Sequence, residues 1–471
     1  MEVIKPYSTY KDSGIAWLGE IPEHWQKWKI SRGVKKIGSG TTPSSSNKDF
    51  YENGTINWLN TGDFNNGILY SCKKKVTAKA LEENSALKLF RSGTLSIAMY
   101  GATIGKVCII QFDATTNQAC CNIEEGDIFS NKFLMYWFVG HKPQIVNLSY
   151  GGGQPNISQD VIKSLYVPCP KKSEQTAIAN FLDYKTAKID RFIFKKKQLI
   201  KLLNEQKAAI INDAVTKGLN PNAKMKPSGI EWLGEIPEHW EVRKLKYVAE
   251  AVLGKMLCNE DKGGYSKKPY LKSKNIQWLK VDVSNVEEMW FSDKELSQYR
   301  LKKGDLVLSE GGEVGKTCLW NNEIEECYIQ NSAHKVTVDS ENLAEYYLNL
   351  FFLYGNKGAF DAITNKVSIG HLTKDKLINL KCLCPPLSEQ SAIVSHIEKE
   401  TAIITKTIAT IEKEIALVQE YRTALIAEAV TGKIDVREYN VPSFEEDKEY
   451  AEMEEEMGLV AEDGEEMGIE N

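Results

Sequence analysis

The sequence predicts an α+β protein with an internal pseudo-twofold repeat, in which two similar mixed α/β domains are joined by two long antiparallel helices that form a coiled coil. Three observations predict this architecture. Segments near the start of the chain recur at the start of its second half. Each copy ends in a helical pattern of apolar residues that is sustained over about 40 residues. The length of 471 residues, 42% of them hydrophobic, fits two to four domains.

The repeat is the first of these elements. The segment SGIAWLGEIPEHWQKWKI at 13–30 returns as SGIEWLGEIPEHWEVRKL at 228–245, with 13 of 18 positions identical. The segment SEQTAI at 173–178 returns as SEQSAI at 388–393, which is the same offset along the chain. A repeat at a constant offset indicates a duplicated structural unit.

Between the matched segments the two copies diverge. SGTLSIAMYGATIGKVCII at 92–110 corresponds to KGDLVLSEGGEVGKTCLW at 303–320, where the offset between the copies shrinks by a few positions. Such a slip predicts loops of different length within a shared core. We therefore expect one scaffold, written at about 1–218 and 219–436, that displays two unlike surfaces.

Each copy ends in a long predicted helix. Ser173 and Ser388 follow proline-containing stops and have an acid in the next turn, so we interpret them as N-caps. From there apolar residues recur at alternating spacings of 3 and 4, as in a coiled-coil seam. The predicted helix-pairing residues are Ile178, Leu182, Ile189, Phe192, Leu199, Leu203, Ile210, Ile393, Ile397, Ile404, Ile411, Val418, Tyr421 and Leu425.

The charges of the two helices favour pairing with each other. The stretch 171–218 carries a net charge of +6, whereas 388–436 carries −3. Opposite charges stabilise a mixed pair more than a pair of identical helices. The alternative is that each amphipathic helix is buried on its own domain.

The net charge of the chain, −5, conceals an uneven distribution. Residues 437–471 hold two basic and fourteen acidic side chains, so the rest of the chain is positive by +7. A modestly basic body permits a nucleic-acid partner. We expect the acidic end to be disordered, either as a solvated tail or as a mimic of DNA. The predicted organisation is a first domain at 1–171, a helix at 172–218, a second domain at 219–387, a helix at 388–436 and a tail at 437–471.

Membrane and secreted classes are disfavoured by composition. The longest apolar run is too short for a membrane-spanning helix, and the first residues lack the apolar core of a secretory signal. The ten cysteines form no disulfide framework and no C-x-x-C pair. We therefore expect a cytoplasmic protein with reduced thiols.

A search for catalytic motifs predicts neither a catalytic residue nor a metal site. GGEVGKT at 311–317 resembles a phosphate-binding loop, but Glu310 stands where its first glycine is required. Its counterpart is GATIGKV at 101–107, so we interpret both as strand-turn-strand hairpins. Asp305 and Glu313 could imitate a nuclease cluster with Glu310, but the first copy lacks these acids. The histidines and cysteines do not have zinc-site spacing.

The remaining polar residues suit DNA reading. GSGTTPSSSNK at 38–48 is a loop rich in glycine and hydroxyls, and side-chain amides match the paired donor and acceptor of adenine. In the first copy the predicted DNA-binding residues are Ser39, Thr41, Thr42, Ser44, Lys48, Asn60, Lys73, Lys74, Lys75, Tyr100, Thr103, Lys106, Asn117, Gln118, Gln154 and Asn156. In the second copy they are Lys255, Lys267, Lys268, Lys272, Lys274, Lys316, Gln330, Asn331 and Lys366. The alternative for each residue is ordinary solvated surface.

The doubled motifs SGI(A/E)WLGEIPEHW and CP-x-x-SEQ-(T/S)-AI, each followed by a long helix, resemble the specificity (S) subunit of Type I restriction–modification systems. The resemblance covers about 10–436. It implies target-recognition domains at 31–170 and 246–387, each reading one half of a bipartite asymmetric DNA site. It also implies that helices at 173–217 and 388–432 set the unread spacer.

The resemblance also implies the partners and the cofactors. Two modification subunits would dock on this chain and two restriction subunits could join them, with double-stranded DNA as the shared ligand. S-adenosylmethionine, ATP and Mg²⁺ would bind those partners, and this chain would bind no cofactor. The chain would then be a recognition subunit without catalysis.

Two functions from other classes stay open at this stage. One is a degenerate nuclease or methyltransferase, which would modify or cut DNA as the purified chain alone. The other is a coiled-coil scaffold without a DNA role, which would show no sequence-dependent binding even inside a complex.

Overall fold

The computed structural model describes residues 5–149, 156–364 and 370–442. Gln154, Lys366 and most of the acidic tail predicted at 437–471 lie outside the described residues.

The first copy contains thirteen short strands and two small sheets that carry its core. The strands are β1 (Tyr10–Asp12), β2 (Glu20–Pro22), β3 (Gln26–Lys29), β4 (Lys36–Gly38), β5 (Ile56–Leu59), β6 (Gly67–Leu69), β7 (Lys75–Val76), β8 (Leu89–Phe90), β9 (Leu95–Ala98), β10 (Val107–Ile110), β11 (Ala114–Thr116), β12 (Cys120–Glu124) and β13 (Tyr166–Cys169). The larger sheet has the order β4-β12-β9-β10-β6, and the other has the order β7-β5-β11-β8.

The described residues of the first copy also form six α-helices. They are α1 (Ile30–Gly33), α2 (Ala78–Glu83), α3 (Asn131–Gly140), α4 (Lys142–Val146), α5 (Gln159–Ser164) and the long α6 (Lys172–Lys217). The sequence of α3, NKFLMYWFVG, is almost entirely apolar, and its side chains from Phe133 to Phe138 are buried. A helix that is apolar on every side must be enclosed by other elements.

The second copy repeats this plan. Its strands are β14 (Met225–Pro227), β15 (Glu235–Pro237), β16 (Glu241–Lys244), β17 (Ala249–Leu253), β18 (Ser266–Leu271), β19 (Ile276–Gln277), β20 (Lys280–Val281), β21 (Glu287–Phe291), β22 (Leu306–Ser309), β23 (Thr317–Leu319), β24 (Tyr328–Ile329), β25 (Ala333–Val338) and β26 (Lys381–Cys384). Its helices are α7 (Asp293–Tyr299), α8 (Ala344–Asn356), α9 (Ala359–Ile363), α10 (Lys374–Ile378) and α11 (Leu387–Thr431).

Strand pairing shows that the duplication extends through the divergent middle. The antiparallel pair β9–β10 corresponds to β22–β23, so both glycine-rich segments form the predicted strand-turn-strand hairpins. The parallel pair β5–β11 corresponds to the parallel pair β18–β24. The antiparallel pair β3–β13 corresponds to β16–β26.

The repeated EHW and SEQ motifs contact each other, which explains why they recur together. Glu174 of the first SEQ motif accepts hydrogen bonds from Trp25 Nε1 at 2.9 Å and from Tyr7 Oη at 2.7 Å, and lies 3.0 Å from His24 Nε2. In the second copy, Glu389 Oε2 lies 2.8 Å from His239 Nε2. The motifs therefore join the start of each copy to the start of its long helix.

The long helices form near their predicted positions, although α11 spans Leu387–Thr431 and not 388–436. The structure starts α6 at Lys172 and α11 at Leu387, so the predicted N-caps Ser173 and Ser388 lie inside the first turn. The helices start shortly after Pro170 and Pro386, since proline is tolerated where a helix begins but not in its interior. Gly218 and Gly432 follow the other ends with positive φ of 70° and 75°, a conformation in which glycine terminates helices.

The described residues divide into two compact units that differ from the predicted segments. The first unit holds the chain up to Lys196 together with residues from Lys413 onward, and the second is Lys197–Glu412. Each unit therefore contains half of α6 and half of α11. The reason is apolar packing, since Phe181 and Ile426 share the core of the first unit while Ile211 and Ile393 share that of the second.

The helices run antiparallel where they pair. In the first unit, Arg422 donates to Asp190 at 3.0 Å, and Lys196 Nζ lies 2.8 Å from Glu414. Residue numbers rise on α6 as they fall on α11. In the second unit, Lys207 Nζ donates to Thr405 Oγ1 at 3.2 Å. The Lys196–Glu414 pair joins a basic side chain of α6 to an acidic side chain of α11, as the charge pattern predicts. In the Arg422–Asp190 pair the basic side chain belongs to α11 and the acidic one to α6, which is the reverse.

The structure corrects part of the predicted seam. Phe192, Leu199 and Tyr421 are exposed by 40%, 40% and 50%, whereas Ile193 and Ile415 are buried. The prediction used a strict repeat of 3.5 residues, and an α-helix with 3.6 residues per turn drifts by about 20° per heptad away from it. The remaining predicted residues are buried or half-buried, namely Ile178, Leu182, Ile189, Leu203, Ile210, Ile393, Ile397, Ile404, Ile411, Val418 and Leu425.

Candidate nucleic-acid interface

The first candidate surface forms where two parallel strands end. β5 and β11 pair in parallel, with Leu59 opposite Thr116. Because the carboxyl ends of parallel strands meet at one edge, the residues that follow them are neighbours. Asn117 Nδ2 donates to Asn60 Oδ1 at 3.3 Å. Asn60 in turn donates from Nδ2 to Trp58 O at 3.1 Å, so these two amides hold the turns in place.

The glycine-rich loop predicted at 38–48 crosses this edge. A Cβ on Gly40 would lie 1.8 Å from the carbonyl oxygen of Thr116, so only glycine allows the approach. Thr42 Oγ1 then donates to Gln118 Oε1 at 2.7 Å. Both side chains are at least partly exposed, so the contact presents the Gln118 amide to solvent.

Tyr100 and Asn156 continue the same edge. Their backbones form an isolated β-bridge, and Met99 donates from its N–H to Ala119 O at 2.9 Å. Asn156 and the ring of Tyr100 are exposed. The structure thus brings together six of the predicted residues, which we call the first polar edge: Thr42, Asn60, Tyr100, Asn117, Gln118 and Asn156.

The other predicted residues of the first copy border this edge or lie away from it. Thr41 O accepts from Trp58 Nε1 at 3.4 Å, and the Lys74 Nζ lies 5.9 Å from the Trp58 ring. Thr103 Oγ1 donates to Tyr100 O at 3.2 Å. Lys48 instead lies in the short helix Lys48–Phe50, where Glu52 is 3.9 Å away. The rest occupy nearby loops, turns and strand ends: Ser39, Ser44, Lys73, Lys75 and Lys106.

The second copy builds the same kind of edge. β18 and β24 end side by side in parallel, with Leu271 opposite Ile329. A Cβ on Gly254 would lie 2.4 Å from Gln330 O, which repeats the close approach of Gly40. Asn331 Oδ1 accepts from Gln330 Nε2, so a side-chain amide again occupies the turn after the second strand.

Most of the predicted cations of the second copy form ion pairs with glutamates. Lys268 Nζ lies 2.5 Å from Glu326, and Lys272 Nζ lies 2.5 Å from Glu287. The Lys272 and Tyr270 hydrogen bonds lower the pKa of Glu287 to about 2, so the carboxylate stays charged at neutral pH. The same pairing holds for Lys267 with Glu288, Lys274 with Glu287 and Lys316 with Glu313.

The prediction that Lys255 contacts DNA is wrong. Its side chain is buried, pairs with Glu295 and lies 5.0 Å from the ring of Tyr265. Burying an ammonium is tolerated because an acid and aromatic rings compensate its lost hydration. Lys255 therefore serves the fold and is removed from the candidate DNA contacts.

His371 and Glu310 were not predicted from the sequence as DNA contacts. The backbone N–H of Glu310 donates to Ser332 O at 2.8 Å, and the backbone carbonyl of Glu310 accepts from the N–H of Leu372 at 2.8 Å. Met99 makes the corresponding backbone hydrogen bonds in the first copy. His371 Nδ1 lies 3.0 Å from Glu310 Oε2, in the place that Asn156 has in the first copy. The sequence contains a sign of this equivalence, because the number of residues between Asn156 and His371 is the same as that between the repeated motifs. We define the second polar edge as Lys272, Glu310, Gln330, Asn331 and His371.

Covalent and metal chemistry find little support in the described part of the chain. All ten cysteines are free, and burial raises the pKa of the Cys121 and Cys318 thiols to about 12. Those thiols remain protonated and unreactive at neutral pH. Among the described residues there is no group of three or more histidine, cysteine or acidic side chains arranged to hold a metal ion. Nor does any described helix have the length and apolarity needed to cross a membrane.

Comparisons with known proteins point to one family. The family described as Type I restriction modification DNA specificity domain matches twice, at residues 22–202 and 237–416. The two matches cover most of the chain, and they repeat in the same way as the sequence and the fold.

Individual relatives agree with the family match. The Type I restriction enzyme MjaIX specificity subunit of Methanocaldococcus jannaschii is 24% identical over 89% of this chain and 96% of that protein. The Type I restriction enzyme EcoKI specificity subunit of Escherichia coli (strain K12) is 21% identical over 88% of this chain and 90% of that protein.

A solved structure shows the same fold. A chain from work on complex assembly and conformational transition of the type I R-M system aligns with a TM-score of 0.60 and 15% identity, covering 88% of this chain and 99% of its own length. The double match, the full-length relatives and the shared fold agree: the chain belongs to the family of Type I restriction modification DNA specificity domains and carries two of them.

Proposed function

We propose that this chain is the DNA sequence-specificity subunit of a Type I restriction–modification complex, and that each polar edge reads one half of a bipartite DNA site. One observation carries the assignment of the edges. The same strand-end geometry, with a glycine loop laid over it, is built twice and filled with unlike side chains.

The side chains of the edges suit contacts to base edges. The Gln118 and Asn331 amides lie at corresponding turns, and an amide can form paired hydrogen bonds with adenine in the major groove. The first edge adds Tyr100 and Asn156, whereas the second adds Glu310, His371 and Lys272. Different donors and acceptors favour different bases, so we expect two unlike half-sites.

The long helices are proposed to set the number of unread base pairs between the half-sites. α6 has 46 residues and α11 has 45. A helix of this length extends about 68 Å at 1.5 Å per residue. The antiparallel pairing within each unit supports a helical spacer whose length is fixed by the sequence.

Partners supply the chemistry in this proposal. The MjaIX and EcoKI relatives are named as specificity subunits of restriction enzymes, so we infer that this chain works with modification and restriction subunits on DNA. Two modification subunits would match the two copies of the scaffold. S-adenosylmethionine would bind the modification subunits, and ATP with Mg²⁺ the restriction subunits.

The test is methylome sequencing of a host that carries this chain and its modification subunit. We expect one asymmetric motif with two specified halves and a fixed gap between them. A Gln118→Ala variant should change the methylated bases in one half only. Methylation unaffected by variants in both edges would refute the assignment of the edges.

Binding by the purified chain distinguishes the proposal from an independent enzyme. Because the body carries a modest net charge of +7 outside 437–471, we expect weak DNA binding by the chain alone and tight binding with its modification partners. Fluorescence anisotropy with a labelled duplex measures both. Equal affinity in the two cases, or cleavage by the chain alone, would contradict the proposal.

A further inference from the structure

A row of basic residues lies on α6 within the first unit. Lys185, Lys188, Arg191 and Lys195 are spaced by 3, 3 and 4 positions, which places them on one side of the helix. We call this row the basic face. Lys188 and Lys195 are exposed. Lys185 follows the buried Phe181 by four positions and lies 5.8 Å from its ring, and Lys188 and Lys195 continue along the same side of the helix.

The acidic residues on the same stretch of α6 are held by other partners. Asp183 accepts from Tyr136 Oη at 2.7 Å and also pairs with Lys132. Asp190 pairs with Arg422 of α11. Asp183 and Asp190 therefore pair with residues outside the basic face.

The end of the described chain is fixed beside this face. The Tyr439 ring centroid lies 4.8 Å from that of Phe181, and the Lys185 Nζ lies 4.9 Å from the Tyr439 ring. The neighbouring Val436 is buried. The chain that follows Tyr439 thus starts at one end of the basic face.

The remaining segment, 443–471, complements the face in charge. It carries thirteen acidic side chains and one basic side chain. Its apolar residues Tyr450, Met453, Met457 and Val460 are spaced by 3, 4 and 3, the period of one side of a helix. The row from Lys185 to Lys195 extends only about 15 Å, at 1.5 Å per residue, so the segment is long enough to cover it.

We propose that the acidic segment 443–471 docks on the basic face of α6 and shields it from polyanions. Attachment at Tyr439 holds the acids close to the lysines, and a short linker gives an effective concentration of the order of millimolar. Shielding would keep nonspecific DNA off the helix. The proposal rests on the described contacts of the first unit, independently of which bases the polar edges read.

Carbodiimide cross-linking of the full chain tests the docking directly, because this reagent joins lysine amines to carboxylates in contact. Mass spectrometry should find cross-links from the acids of 445–466 to Lys185, Lys188 and Lys195. They should diminish in 1 M salt, where the screening length is about 3 Å. Cross-links spread evenly over exposed lysines, or absent from these three, would overturn the proposal.

Charge reversal provides the matched comparison. The triple variant Lys185→Glu, Lys188→Glu, Lys195→Glu should lose the cross-links. The control reverses three exposed lysines of the second unit, Lys246, Lys303 and Lys357, and should keep the cross-links to the basic face unchanged. Circular dichroism melting checks that both variants fold. If both variants behave alike, docking at this face is excluded.

Truncation after Pro442 tests the shielding and leaves the described fold intact. The truncated chain should bind a nonspecific duplex about 3- to 10-fold more tightly at low salt, as expected when an intramolecular competitor of modest affinity is removed. A synthetic 443–471 peptide added in trans should reverse the gain. Unchanged affinity would disprove shielding, and it would leave the recognition of a specific motif untouched.

Discussion

Asn117 donates from Nδ2 to Oδ1 of Asn60 over 3.3 Å, although the two residues lie 57 positions apart in the sequence. The contact joins the ends of two parallel strands and fixes the turn that exposes Gln118. In the second copy the corresponding turn presents Asn331 beside Gln330. Gln118 and Asn331 occupy equivalent turns of the two copies, so each can be substituted without changing the other copy.

Gln118→Ala should weaken binding to the cognate duplex by the assembled complex about 5- to 150-fold, the equivalent of about 1–3 kcal/mol for one bidentate base contact. Methylation should relax at one half-site, and Asn331→Ala should relax the other. Anisotropy and methylome sequencing measure the two effects. Gln144→Ala, an exposed amide on α4, is the control and should have no effect. If Gln118→Ala relaxes both halves equally, the edges do not act as separate readers.

Gly40→Ala should disturb the first polar edge without unfolding the protein. The added Cβ would lie 1.8 Å from Thr116 O, so the loop must move away and separate Thr42 from Gln118. Recognition of one half-site should be lost while the melting temperature falls by a few degrees. Gly62→Ala is the matched control, since nothing lies within 4 Å of its Cβ. Wild-type binding by Gly40→Ala would contradict the importance of this approach.

Removing one heptad from each helix in register should shorten the unread spacer. Deletion of 199–205 and 407–413 follows the observed pairing of Lys207 with Thr405 and of Lys196 with Glu414. The loss of one heptad shortens a helix by about 10 Å, which corresponds to about three base pairs. Methylome sequencing should show a shorter gap and unchanged half-sites. Altered bases with an unchanged gap would argue against a helical ruler.

Stability should fall below neutral pH through buried histidines. Burial lowers the pKa of His334 below its ordinary value of 6.5, and its Nε2 lies 2.5 Å from Leu372 O. A depressed folded pKa means that the unfolded chain binds protons first, so the contribution of His334 to the free energy of unfolding is constant well above pH 6.5 and decreases below it. The decrease continues until the pH reaches the folded pKa.

Thermal melting from pH 7.5 to 5 checks this expectation. His334→Gln keeps a side-chain donor and should reduce the pH dependence, although it lowers stability at pH 7.5 because the ring packs in the core. The exposed His396→Gln is the control and should leave the pH dependence unchanged. A slope identical in wild type and His334→Gln would show that His334 does not contribute.

The sequence by itself determined the duplication, the two long helices and the hairpins. These features follow from local signals, because repeated segments, 3–4 apolar spacing and glycine turns act over short stretches of chain. The family membership was also contained in the repeated motifs. The Phe192, Leu199 and Tyr421 positions were misplaced because a small angular drift accumulates along a helix.

Only the tertiary structure decided which polar residues share an edge and which lysines form ion pairs with acids. Asn60 and Asn117 are in contact because the strands that precede them pair in parallel. Lys255 is buried and is not available to DNA, because its ammonium pairs with Glu295. Such pairings depend on long-range contacts between segments that spacing along the chain does not encode. The contact of Glu310 with His371 is also a long-range one, because the two residues lie 61 positions apart in the sequence.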